Sequence, residues 1–214
     1  YQGVTGVQTC ALPILKRLTI SALLIAMGII IPMVMPRITI GPASFTLASH
    51  VPVFIAMFIS PVVAIAVSLG TGFGFFLSAT PIIALRALSH LIFAVIGAVI
   101  LQKHPEILIN KEGKFTLLNG KLQLFNVGIG VIHSAAELVV VSVFYTMGNL
   151  PGTYYTAGFM YSIFLLMGVG GLIHSLVDFS IAYFLASTLS KHVDIPTFTE
   201  AKQPKVIKKK VKLA

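Results

Sequence analysis

Charge is what this chain has least of. Only 10% of its 214 residues are Asp, Glu, Lys or Arg, and 57% are hydrophobic, whereas a soluble domain carries roughly 25% charged residues. With a mean hydropathy of +0.97, the chain is not a water-soluble globular domain, and lipid is the solvent in which it must fold. Negative charge is the scarcer sign, with 6 acidic residues against 15 Lys and Arg and a formal charge of +9. The basic residues gather at the ends and in one internal loop, a distribution that speaks of membrane orientation and anionic headgroups rather than nucleic acid.

Cysteine is nearly absent too. Cys10 lies in VTGVQTCALPI, residues 4–14, which reads as the translated end of a sequencing-library adapter. A signal peptide is the alternative, but no basic segment precedes a sustained apolar run there. Residues 1–14 are therefore set aside, and Cys10 with them, which leaves nothing for disulfides or thiolate chemistry. GxxxxGK[ST] and HExxH are also missing, so the chain has no phosphate-cradling loop with which to hydrolyse ATP unaided. No internal repeat, heptad or low-complexity tract is visible.

What remains is a series of apolar runs. Lys16 and Arg17 precede LTISALLIAMGIIIPMVM, a first span that ends at Pro36. A short second span follows over residues 46–59, a third over 62–77, a fourth over 81–103, a fifth over 123–147 and a sixth over 159–189. The third carries GTGFGFF, whose glycines suit close packing, and the sixth is long enough to be tilted or broken near Gly168, Gly170 and Gly171. Residues 37–45 form a loop with Gly41-Pro42 as its turn, 104–122 form a polar loop with Lys103, Lys111, Lys114 and Lys121, and 148–158 form an uncharged loop. Counting about six spans puts both termini and the lysine-rich loop on one side, as the positive-inside rule requires. The expectation is an all-α membrane protein: a bundle of six transmembrane helices over residues 15–190, both termini cytoplasmic, and a basic, solvated cytoplasmic tail over 191–214. It would be multi-pass in a prokaryotic plasma membrane.

Polar residues inside the spans carry the chemistry. Arg86 at bilayer depth costs on the order of 2.5 kcal/mol or more unless it snorkels, pairs or binds something. Its planar fork suits a carboxylate, although pairing with Glu137 merely to hold helices together is the plainer reading. His133 and Glu137 are four apart on the fifth span, His174 and Asp178 four apart on the sixth, and each pair therefore shares a helix face. His90 lies one turn from Arg86, and His50 opens the second span. Each of these can touch a ligand, or can simply satisfy a polar neighbour in lipid. Ala22 and Ala26 form a small-xxx-small pair that lets another helix approach closely.

The six short spans, the Ala22/Ala26 pair, the loop between spans four and five, and PASFTLASHVPVFIAMFISP over residues 42–61 resemble the S components of energy-coupling factor (ECF) vitamin transporters. The niacin-specific group is the most similar. The resemblance, which runs over residues 15–191, implies that Ala22 and Ala26 face a transmembrane coupling subunit and that two partner ATPases consume ATP, this chain holding no cofactor of its own. It also implies that a vitamin binds near the outer face, among the first loop and helices four to six. The site residues then expected are Arg86, His90, His133, Glu137, His174 and Asp178, with Tyr154, Tyr155 or Phe159 stacking on the ring. Nicotinate fits such a site, with Arg86 on its carboxylate and His or acid groups on its ring nitrogen; pantothenate would satisfy an arginine as well. No resident metal is expected and the chain is not read as an enzyme. The rival is an intramembrane metallohydrolase that uses His133, Glu137, His174 and Asp178 as ligands and base, and a third option is a purely structural membrane subunit.

Overall fold

The protein is described here by a computed structural model over residues 5–40 and 43–203, with side chains from Ile14 onward. The Cys10 side chain, the Gly41-Pro42 turn and the last eleven residues lie outside the described part. Helix α1 runs over Thr5–Val34, so the backbone of residues 5–13 continues the first span. A hairpin follows in which β1 (Arg37–Ile40) pairs antiparallel with β2 (Ala43–Thr46), Arg37 opposite Thr46 and Ile40 opposite Ala43. The segment expected as a plain loop is thus a two-stranded ribbon, whose strands RITI and ASFT each alternate polar with apolar residues.

Helix α2 (Val51–Ile59) is nine residues long and buried throughout. VPVFIAMFI has no polar side chain on any face, and a helix that is apolar all round belongs inside a bundle. At ~1.5 Å per residue it reaches only about half of a ~30 Å hydrocarbon core. Ser60 ends it in an extended conformation, and its hydroxyl accepts from the Val63 amide (3.2 Å) to cap α3 (Pro61–Ser78). The α3 glycines do pack closely: a Cβ on Gly74 would meet Ile29 of α1, and one on Gly72 would meet Leu88 of α4 (Pro81–Lys103).

A short 3₁₀ turn (Pro105–Leu108) leads to α5 (Gly120–Thr146), and the small α6 (Gly152–Thr156) sits in the uncharged loop. The last long helix does not break at its glycines. Met160–Gly170 is π-wound and passes at Gly171 directly into α7 (Gly171–Leu189). The wider π turns leave carbonyls open to side chains, and the Ser134 hydroxyl of α5 donates to the Gly168 carbonyl.

Among the described residues, five helices are long and apolar enough to cross a membrane, in α1, α3, α4, α5 and the joined Met160–Leu189. This is an all-α membrane protein, multi-pass in the cell membrane. Residues 196–202 form α8 (Pro196–Lys202), which is not solvated as a tail would be. Phe198 is buried against Phe58, Phe115 and Tyr183, and the Thr197 hydroxyl donates to the Phe58 carbonyl at 2.6 Å. The foot of α2 therefore meets the α8 end of the bundle, and its head, at His50, meets the hairpin end.

Candidate functional site

At the hairpin end, α4, α5, α7 and the head of α2 bring their polar side chains to one place. Arg86 and Glu137 form a two-pronged ion pair: Nε donates to Oε1 at 3.3 Å and Nη2 to Oε2 at 3.1 Å. Glu137 is buried, while the Arg86 side chain keeps 25% of its surface open. His90 Nε2 lies 3.2 Å from Glu137 Oε1, and His133 Nε2, from the same face of α5, lies 3.8 Å from it. The ring of His50 stands against those of His90, His133 and His174 with centroids 4.8, 4.5 and 4.9 Å away.

Asp178 organises the other half. Its carboxylate accepts from the Ala48 amide (2.8 Å), the His50 amide (2.9 Å) and His50 Nδ1 (3.0 Å). A carboxylate only accepts, so His50 Nδ1 carries a proton and donates it to Asp178. Ala48 has φ +64°, a conformation that L side chains rarely adopt and that persists only when its surroundings enforce it. The bond from its amide to Asp178 is such an enforcement. Ser49 bridges the set, 3.1 Å from His174 Nε2 and 3.4 Å from Asp178.

These groups face a cavity of about 310 Å³, the lower end of the range usual for small-molecule sites. Arg86, His90, Glu137 and His174 line it, together with His50, Ser49, Phe45, Thr71, Phe75 and Arg37. Asp178 and His133 stand behind that wall. Tyr154 and Tyr155 do not line it. The Tyr155 hydroxyl accepts from the Leu150 amide and donates to the Tyr145 carbonyl, and its ring lies against Tyr145. Burial pushes the Tyr154 phenol up, and the nearby Arg86 charge partly offsets that. Phe159 also rests on Tyr145.

The sequence offered no strong signal for Phe45, Thr71 or Arg37 as lining residues. Phe45 sits in a ribbon that read as a loop, and Thr71 sits among glycines that read as packing. The Thr71 hydroxyl is buried without a hydrogen-bond partner, against Gly28 of α1. Donor atoms of His50, His90, His133 and Glu137 lie within 4.8 Å of one another, and so do those of His50, His174 and Asp178. The four residues expected of a hydrolase are thus divided between two groups that share His50.

No family model matches the chain, and no solved structure matches it. Among curated proteins it is 45% identical over 201 residues to the niacin transporter NiaX of Lactococcus lactis subsp. cremoris (strain MG1363), covering 92% of this chain and 84% of that protein. Identity of that extent spans every element that builds the cavity, and the chain belongs to the niacin-transporter family, the niacin-specific group among the S components that its sequence resembles.

Proposed function

We propose that this chain is the membrane-embedded binding subunit for uptake of niacin as nicotinate, and that it works with an ECF coupling subunit and two ATPases rather than as an enzyme. The observation that carries the reading is the Arg86 fork. Two of its N–H groups are spent on Glu137, and Arg86 lines the cavity with its side chain a quarter open, so that its remaining N–H groups would suit the ligand carboxylate. Phe45, in place of the tyrosines, offers the ring a face, while the imidazoles that line the cavity offer hydrogen bonds to its nitrogen.

Orientation supports this use of the cavity. Arg86 is five residues from the start of α4, ~8 Å along it, whereas Lys103 at the other end is roughly 26 Å away. If the lysine-rich end is cytoplasmic, the cavity opens outward, α2 with its hairpin completes a six-element bundle over 15–190, and both termini lie inside. The charge of the basic tail would then suit anionic headgroups, and residues 1–14 would stay an adapter-derived addition.

Calorimetry of the detergent-purified protein, with mass spectrometry of whatever co-purifies, tests the reading. Nicotinate should bind tightly at one site. A protein that instead carries pantothenate would keep the transporter role and lose the niacin assignment, and one that hydrolyses a bound substrate would overturn both. The hydrolase reading is the weaker because Glu137, its base, is already committed to Arg86.

A further inference from the structure

We propose that His50, His90 and His133, through Nε2, and Glu137, through Oε1, hold a divalent transition-metal ion of the zinc class in the inner wall of the cavity. The donors come from α4, α5 and the head of α2, and are buried without exception. Three imidazoles and one carboxylate form a donor set that suits Zn²⁺ with roughly tetrahedral geometry. The three rings stand nearly perpendicular to one another, at 74°, 77° and 89°, so their edges rather than their faces can converge on one point.

Two further observations point to an ion and not simply to a hydrogen-bonded cluster. The first is His133 Nε2, which is buried and has no hydrogen-bond partner, while Nδ1 of the same ring is occupied by Ser175 at 2.9 Å. A buried nitrogen left unsatisfied is costly, and a cation held among these four donors, all within 4.8 Å of one another, removes the cost. The second is the outer hydrogen bonding. The Asp178 carboxylate fixes His50 by Nδ1 and Ser175 engages Nδ1 of His133, the arrangement by which metal-binding histidines are oriented and made more basic. On ligation, His90, whose Nε2–H now donates to Glu137, would carry its proton on Nδ1 instead and turn the freed Nε2 lone pair to the ion.

Charge gives the ion a use, and this step rests on the nicotinate reading above. With imidazoles neutral, as ligation requires, Arg86 and Arg37 are balanced by Glu137 and Asp178, and the cavity has no net attraction for an anion. A divalent cation makes the wall positive. His50, His90 and Glu137 also line the cavity, so the ion's outward side is where a carboxylate or pyridine nitrogen would arrive. Glu137 is spent on the metal and on Arg86, so this site has no free base for hydrolysis.

The test is metal analysis of the full chain in detergent, followed by chelation and titration with Zn²⁺ and with Co²⁺ as a spectroscopic probe. About one ion per chain should bind, and Co²⁺ should show the intense visible bands of a four-coordinate site rather than the faint ones of a hydrated ion. His133→Ala should weaken Zn²⁺ binding on the order of a hundredfold and Ser175→Ala about tenfold, while His104→Ala, outside the cluster, should leave it unchanged. The Co²⁺ spectrum needs no variant and decides the matter even if His133→Ala fails to fold. Absence of stoichiometric metal, a hydrated-type Co²⁺ spectrum, or undiminished binding in a folded His133→Ala protein overturns the site. Nicotinate titrated into the chelated and zinc-loaded forms separates the two claims. Zinc without nicotinate binding sinks the niacin reading alone, and nicotinate binding without zinc sinks the metal alone.

Discussion

Arg86 of α4 and Glu137 of α5 are locked side by side, with both carboxylate oxygens engaged by one guanidinium, at 3.1 and 3.3 Å. The pair joins two spans and also fixes the fork where Arg86 lines the cavity. Arg86→Ala should therefore do two things. Affinity for nicotinate should fall at least tenfold, about 1.4 kcal/mol, and thermal stability should fall as well, because removing one partner of a buried pair costs roughly 3–5 kcal/mol. Arg86→Gln combined with Glu137→Gln should recover much of the stability and none of the affinity. Calorimetry and melting temperature together would show it, and a double variant that binds normally would place the ligand elsewhere.

Nicotinamide is the informative competitor. It has the ring and nitrogen of nicotinate but no anionic end, so it forfeits a charge-assisted pair with Arg86, worth roughly 1.5–3 kcal/mol. It should bind at least about tenfold more weakly in competition calorimetry. Equal affinity for the two would show that Arg86 serves only Glu137.

The polar centre was legible because lipid makes it so: an Arg, a Glu or an Asp in an apolar run needs a partner, and the i,i+4 spacings of His133/Glu137 and His174/Asp178 gave the faces. The span ends of α3 and α4 were legible from the prolines that start them. Three features were not. The hairpin strands RITI and ASFT do alternate, but at four residues each they are the shortest runs in which that pattern counts, and Gly41-Pro42 between them read as the turn of a loop. α2 fills the middle of the bundle with a purely apolar sequence, which looks the same whether it crosses or plugs. Tyr154 and Tyr155 looked like stacking partners because tyrosine suits an interface, but Tyr155 is engaged by Tyr145 of α5 and neither tyrosine lines the cavity.

Ala22 and Ala26 are both exposed on α1, while Ser21, Leu24 and Gly28 turn inward. The small pair thus faces away from the bundle, free for a partner helix. Ala22→Leu with Ala26→Leu should leave nicotinate binding unchanged and abolish uptake in cells, with loss of co-purifying coupling subunits. If the double variant still transports, the pair is not the docking surface.

Asp178 is the residue whose loss should disturb the most backbone. Its carboxylate accepts from two turn amides two residues apart, Ala48 and His50, and from the His50 ring, and so holds the hairpin exit against α7. Asp178→Ala strands those donors in a buried site and releases the positive φ of Ala48, at about 1–3 kcal/mol for each unsatisfied group. Asp178→Asn keeps an acceptor oxygen and should lose less. The Ala variant should melt clearly below the Asn variant, with faster amide exchange over residues 46–50 and weaker nicotinate binding, because Phe45 and Ser49 line the cavity from that segment. An Asp178→Ala protein that melts with the wild type would show that the turn holds itself and that Asp178 is there only for the histidines.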